Sequence, residues 1–244
     1  MKAYNETWLK NAAIQAQTEN WNRQGLLTDE TRSQIKKTFP DESYQPIIWI
    51  KGGLFIFTCI AFSFGSAFFA LFGLNAPEIY ALINAVAAVV GLEFLIKEKQ
   101  LRHSGADNAL LYIALGAILV FLLTVFESAT NAIFWGMLPV LAIAVYRYTD
   151  RLVALALFAD ALWLLSIYLF ESTVGKMLAP FVFMAFAAGV YALVRGKSEQ
   201  FRFLCWADCF WILEVAALVV FYVGGNYAVV RAGSEALLGS KGEI

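Results

Sequence analysis

Asp107–Phe126 reads DNALLYIALGAILVFLLTVF, and past Asp107 it carries no charge. A helix needs about 20 largely apolar residues to cross about 30 Å of hydrocarbon, and this stretch has that length. It has company on both sides. Residues 50–73 and 78–96 precede it, and residues 131–146, 152–170, 177–194 and 203–223 follow. Each is long and apolar, and each is bounded by turn residues or charges. The first ends before Asn75 and Pro77, and the fourth contains Pro139, a predicted kink. Glu127–Thr130 and Arg147–Arg151 are predicted to be tight turns. The fold expected is all-α, a polytopic transmembrane helical bundle of about seven spans. Its domains are a head at 1–46, a bundle at 47–223 and a short polar tail at 224–244 that is too polar for another span.

Composition agrees. Of 244 residues, 60% are hydrophobic and 15% charged, whereas soluble domains carry about 25% charged residues. A net charge of -1 gives no bulk attraction to nucleic acid, so none is expected as a partner. Cys59, Cys205 and Cys209 all lie in apolar stretches. An odd number of such thiols argues against a disulfide framework. The opening residues lack a short apolar run ending in small residues, so no cleavable signal peptide is expected. The first span then serves as the insertion signal.

The head is expected to be two short helices. Residues 4–22 place Trp8, Ala12, Gln15, Ala16 and Glu19 at helical spacing, and Gly25 follows as a C-cap. Thr28 reads as an N-cap, with Asp29 and Glu30 in the next first turn and Lys36 and Lys37 near its end. Pro40 stops this helix and Pro46 marks entry to the membrane.

Orientation follows from short-loop cations. After the second, fourth and sixth spans come Lys97, Lys99, Arg102, Arg147, Arg151, Arg195, Lys197 and Arg202. After the first, third and fifth there is Lys176, beside Glu78, Glu127 and Glu171. The head and the basic loops are therefore expected in the cytoplasm, with the tail on the periplasmic or extracellular side. Trp49, Tyr80, Tyr146, Tyr148, Tyr168 and Tyr222 near span ends read as an aromatic belt. Small residues at Ala81, Ala85, Ala88 and Gly91, and at Ala185, Ala188, Gly189 and Ala192, predict close helix packing.

Four carboxylates stand out at membrane depth. Asp160 is at the centre of the fifth span, Glu214 near the centre of the seventh, Asp208 closer to the basic end, and Glu93 near the basic end of the second. An acid in hydrocarbon is costly, so each should face the bundle and find partners. No Lys or Arg is expected at the depth of Asp160 and Glu214, so both are expected to hold their protons much of the time. Asn84, Thr124, Trp163, Ser166 and Trp211 are the polar partners on offer. One reading makes the four acids a proton or cation relay; the other makes them interhelical hydrogen-bond glue. Glu93 and Asp208 are shallow enough to reach interfacial cations. Asp208 and Glu214 are six residues apart, about 120° from a common face.

Metal and cofactor chemistry find little support. Cys205 and Cys209 flank Asp208, but His103 is the one histidine and sits in a basic loop. Buried thiols acting as small apolar groups explain the cysteines. No phosphate-binding loop, nucleophile elbow or His-Glu-x-x-His motif occurs, so no catalytic residue, metal or cofactor is expected and the chain is not expected to be an enzyme.

The stretch Trp21-Asn22-Arg23-Gln24-Gly25-Leu26-Leu27-Thr28-Asp29-Glu30, followed by Gly52-Gly53 opening the first span, resembles an uncharacterised family of bacterial multi-pass inner-membrane proteins, domain of unknown function 2157. The resemblance covers residues 1–60. It implies the layout of head and spans and a bacterial inner membrane, and it supplies no site. Two functions follow as expectations: proton- or cation-coupled transport through Asp160 and Glu214, or a non-catalytic scaffold, sensor or assembly factor whose head binds a protein. The lipid bilayer is the partner common to both. Nothing in the sequence fixes an oligomeric state.

Overall fold

The computed structural model describes residues 3–4, 6–40, 46–70, 76–99, 104–127, 129–198 and 200–239. Asn75, Arg102 and His103 lie outside the described residues, as do the side chains of Trp8, Lys99 and Arg202. Among the described residues the secondary structure is helical, with no strand. Seven helices are long and apolar enough to cross a membrane, so the protein is an integral membrane protein. The chain divides into two compact units, Met1–Asp150 and Arg151–Ile244.

The first unit opens with the head, α1 (Glu6–Arg23) and α2 (Asp29–Thr38). Its punctuation follows local chemistry. Gly25 takes φ +72°, which a residue without Cβ adopts at little cost. Thr28 Oγ1 accepts the backbone N–H of Thr31 at 3.3 Å and caps α2. At the other end the Phe39 N–H donates to the Ile35 carbonyl at 2.9 Å before Pro40. Arg32 clamps α2 to α1 by donating Nε and Nη2 to Glu19 at 2.9 and 2.6 Å. Asn11 and Gln15 donate to the carbonyls of Pro40 and Phe39 at 2.8 and 2.6 Å. Two helices this short need such cross-links, because neither is stable alone.

Four apolar helices follow: α3 (Ile48–Ala70), α4 (Pro77–Lys99), α5 (Ala106–Phe126) and α6 (Thr130–Tyr148). α5 packs most extensively on α4 and also touches α3 and α6. Between lipid-bathed helices, close approach of small residues replaces the hydrophobic effect as the driving force. Ala81, Ala85 and Ala88 are buried, and a Cβ on Gly91 would lie 3.5 Å from Leu110 Cδ1. By contrast Ile56, Phe57, Ile60 and Phe64 of α3 are exposed, as lipid-facing side chains are. The α4–α5 connection presses on the start of α3. Gly105 has φ +97°, and a Cβ there would lie 2.1 Å from the Lys51 carbonyl oxygen.

The second unit comprises α7 (Arg151–Phe170), α8 (Thr173–Ser198), a 3-10 segment Phe201–Trp206 and α9 (Ala207–Gly239). α8 lies along α9, and α7 packs on both. Phe158, Ala187 and Ala217 form its buried centre. Pro180 sits inside α8, as Pro139 sits inside α6; neighbouring helices tolerate such residues at membrane depth.

Several expectations change. α6 continues through Arg147 and Tyr148, which the sequence assigned to a turn, because an arginine in the last turn suits the dipole and Thr149 then stops the helix in the left-handed region (φ 50°, ψ 39°). α9 continues past 223 to Gly239, so much of the expected tail is helical. On α8 the small residues that pack are Ala179 and Ala187, while Ala185, Ala188, Gly189 and Ala192 are exposed. Trp49, Tyr146 and Tyr168 are exposed at helix ends and Tyr222 is exposed in the middle of α9, but Tyr148 is buried and belongs to a polar cluster.

Candidate functional site

The polar side chains gather at the lysine- and arginine-rich end of each unit. In the first unit, Glu93 of α4 faces the last turn of α6. Arg147 donates Nε to Glu93 Oε1 at 2.7 Å, and its Nη2 lies 2.7 Å from the same oxygen. Tyr148 OH donates to it at 2.8 Å. Glu93 Oε2, also buried, has no hydrogen-bond partner among the described residues. The extension of α6 by two residues is what brings Arg147 and Tyr148 to this carboxylate, and the pair ties α4 to α6.

A second buried acid, Asp107, was not singled out from the sequence. It is 1% exposed. Ser104 donates its backbone N–H and its Oγ to Asp107 Oδ1 at 2.9 and 3.0 Å, which ties the residue before the helix to the first turn of α5. Tyr4 OH, from the segment before α1, donates to Asp107 Oδ2 at 2.8 Å. Beside it the Ala3 N–H donates to the Arg147 carbonyl at 3.0 Å. The start of the chain is thus latched to the ends of α5 and α6. A signal for Asp107 was present: Ser104-Gly-Ala-Asp107 before an apolar run has the spacing of a capping box, although the N-cap of α5 is Gly105 and no side chain caps it. Tyr112 OH donates to Asp150 Oδ1 and Oδ2, each at 3.1 Å, and Asp150 is also buried.

In the second unit, Arg151 Nη2 lies 2.7 Å from Asp208 Oδ1, which ties the first turn of α7 to the first turn of α9. Arg195 Nη1 of α8 lies 3.9 Å from Glu214 Oε2. This corrects the expectation that no cation reaches the depth of Glu214. Glu214 lies about 9 Å further along α9 than Asp208, and a long arginine side chain can extend along the helices to meet it. The six-residue offset puts the two acids on different faces, and they take different arginines from different helices.

Asp160 is the exception. It is nine residues into α7, about 14 Å from the basic end. It is 7% exposed, and its Oδ2 has no hydrogen-bond partner among the described residues. No hydrogen bond or ion pair joins it to Glu214. The partners offered by the sequence serve elsewhere. Asn84 donates to the Tyr80 carbonyl at 2.8 Å, Thr124 to Phe121 at 2.8 Å and Ser166 to Trp163 at 2.7 Å, each within its own helix. Trp163 and Trp211 are exposed at the helix surface. Cys205 and Cys209 are buried thiols outside any disulfide, and among the described residues no cluster of His, Cys, Asp or Glu has the makings of a metal site.

A cavity of about 750 Å3 also lies in this unit, between the end of α7, the first turns of α8 and the middle of α9. Its walls are apolar apart from Lys176, Thr173 and the Tyr227 hydroxyl, and neither Asp160 nor Glu214 lines it. No family model, curated protein or solved structure matches the chain.

Proposed function

We propose that this protein is a non-catalytic scaffold or assembly factor of a bacterial inner membrane, with its head in the cytoplasm and the opposite ends of its spans outside. The observation that carries this reading is the head. Its two helices are clamped by Glu19 and Arg32, its leading segment is latched to Asp107, and it still presents Trp21 at 42% exposure and Leu26 at 68%. These two residues adjoin, since the Leu26 N–H donates to the Trp21 carbonyl at 3.0 Å. Apolar side chains held outward on a fixed soluble element are the form of a protein-docking surface. The arginines on Glu93, Asp208 and Glu214 support the same reading, because a carboxylate held by an arginine ties helices together.

Proton- or cation-coupled transport is the second reading, and Asp160 favours it: a mid-span acid with an unpartnered, buried oxygen is where a proton relay would sit. One pair of experiments separates the two. A photo-crosslinker at Leu26 in living cells is expected to capture one discrete protein, and Trp21→Asp to abolish the adduct. Vesicles containing the wild type are expected to leak protons no faster than empty ones. Proton flux above that background, lost in Asp160→Asn while the protein still inserts, would reverse the assignment. Cysteines introduced at Glu98 and Glu171 test the orientation: the first is expected to be shielded from an impermeant maleimide in intact cells and the second to react.

A further inference from the structure

The cavity in the second unit is more specific than a packing gap. It lies at the end of the unit away from Arg151 and Arg195, where α7 hands over to α8. The turn is tight and its geometry is fixed. Ser172 Oγ accepts the Gly175 N–H at 2.9 Å and the Ser172 carbonyl accepts the Lys176 N–H at 3.0 Å. A Cβ at Gly175 would lie 2.1 Å from the Leu169 carbonyl oxygen, so no larger residue fits this approach. Lys176 and Thr173 are thereby held on one wall, in the first turn of α8, where the helix dipole adds positive potential. Lys176 makes no ion pair among the described residues. Below them the walls are Phe170, Pro180, Phe183, Val220 and Val223. Gly224 lets α9 close the floor, since a Cβ there would lie 3.2 Å from the Pro180 carbonyl oxygen.

We propose that this cavity binds one anionic phospholipid, with the phosphate at Lys176 and Thr173 and an acyl chain between α8 and α9. A single cation with a hydroxyl and a helix start over a deep apolar slot matches a molecule with an anionic head and a long apolar tail. The volume falls within the about 300–1,000 Å3 of small-molecule sites. The spans put the cavity in the bilayer, where such molecules are the solvent, and an exposed lysine near a span end can extend its ammonium to a head group. The site uses none of the four acids and does not depend on what the head binds.

The test uses the full chain, purified in neutral detergent, delipidated and followed by native mass spectrometry. The ligands are phosphatidylglycerol, phosphatidylcholine with the same acyl chains, and inorganic phosphate. Phosphatidylglycerol is expected to bind about tenfold more tightly than phosphatidylcholine, and inorganic phosphate to leave it in place. Lys176→Gln should lower phosphatidylglycerol to the phosphatidylcholine level, and Lys176→Arg should keep the preference. Val223→Trp, which fills the slot from an exposed position, should weaken both lipids. Equal binding of the two lipids by the wild type overturns the proposal. So does displacement by inorganic phosphate, a preference unchanged in Lys176→Gln, or binding undiminished in Val223→Trp.

Discussion

Removing Arg147 should expose how much the Glu93 contact contributes to the first unit. Three donors converge on one oxygen: Arg147 Nε at 2.7 Å, Arg147 Nη2 at 2.7 Å and Tyr148 OH at 2.8 Å. A hydrogen bond to a charged group contributes about 1.5–3 kcal/mol. Severing a fully buried ion pair costs about 3–5 kcal/mol because the remaining charge is stranded. Here the side chains are 34% and 18% exposed, so solvent and head groups screen part of the interaction and the lower end applies. Arg147→Ala should cost about 3 kcal/mol and Glu93→Gln about 2 kcal/mol, with the double variant close to Arg147→Ala alone. The coupling between the two sites is then about 2 kcal/mol. Reversible unfolding in mixed detergent micelles measures all four proteins. Arg147→Lys is an informative fifth, since a point charge cannot place two donors on one oxygen, and it should recover only part of the loss. A coupling below about 0.5 kcal/mol would refute the reasoning, because that is the level of a freely exposed pair.

The other expectations concern the latch, the glycines and the mid-span acid. Tyr4→Phe deletes the donor to buried Asp107 and should weaken head attachment by about 1–2 kcal/mol, read as roughly tenfold faster protease cleavage within the head; cleavage at the wild-type rate would show that the latch is idle. Gly105→Ala should fail to accumulate or lose well over 2 kcal/mol, since it combines a positive φ with a Cβ 2.1 Å from the Lys51 carbonyl oxygen. Gly91→Ala is its control and should stay within about 0.5 kcal/mol, because its Cβ meets Leu110 at an ordinary 3.5 Å. Asp160→Leu should be at least as stable as the wild type in thermal denaturation, since the buried Oδ2 has no partner to lose; a large destabilisation would mean that this carboxyl holds α7 in place.

The head's two helices, with Gly25, Thr28 and Pro40 as punctuation, were legible in the sequence, because capping and turn chemistry act over a few residues. So were the seven apolar stretches, because crossing lipid is a matter of length and hydropathy along one helix. The depth of Asp160 followed from the same counting. What the sequence left open was every pairing. Whether Glu214 meets a cation depends on Arg195, nineteen residues earlier on the preceding long helix, and how those two helices lie against each other is not written in either one. Asp107 had a local spacing signal, but its bond to Tyr4 needs the head in place, and Arg147 reaches Glu93 only because α6 continues two residues beyond its apolar stretch. The small residues of α8 pointed to the wrong face, since alanine spacing marks every surface on which helices can approach and the fold uses one. A helix carries its own hydrogen bonds and hydropathy, so local sequence determines it; partners between helices are chosen by the whole packing, and only the tertiary structure decides them.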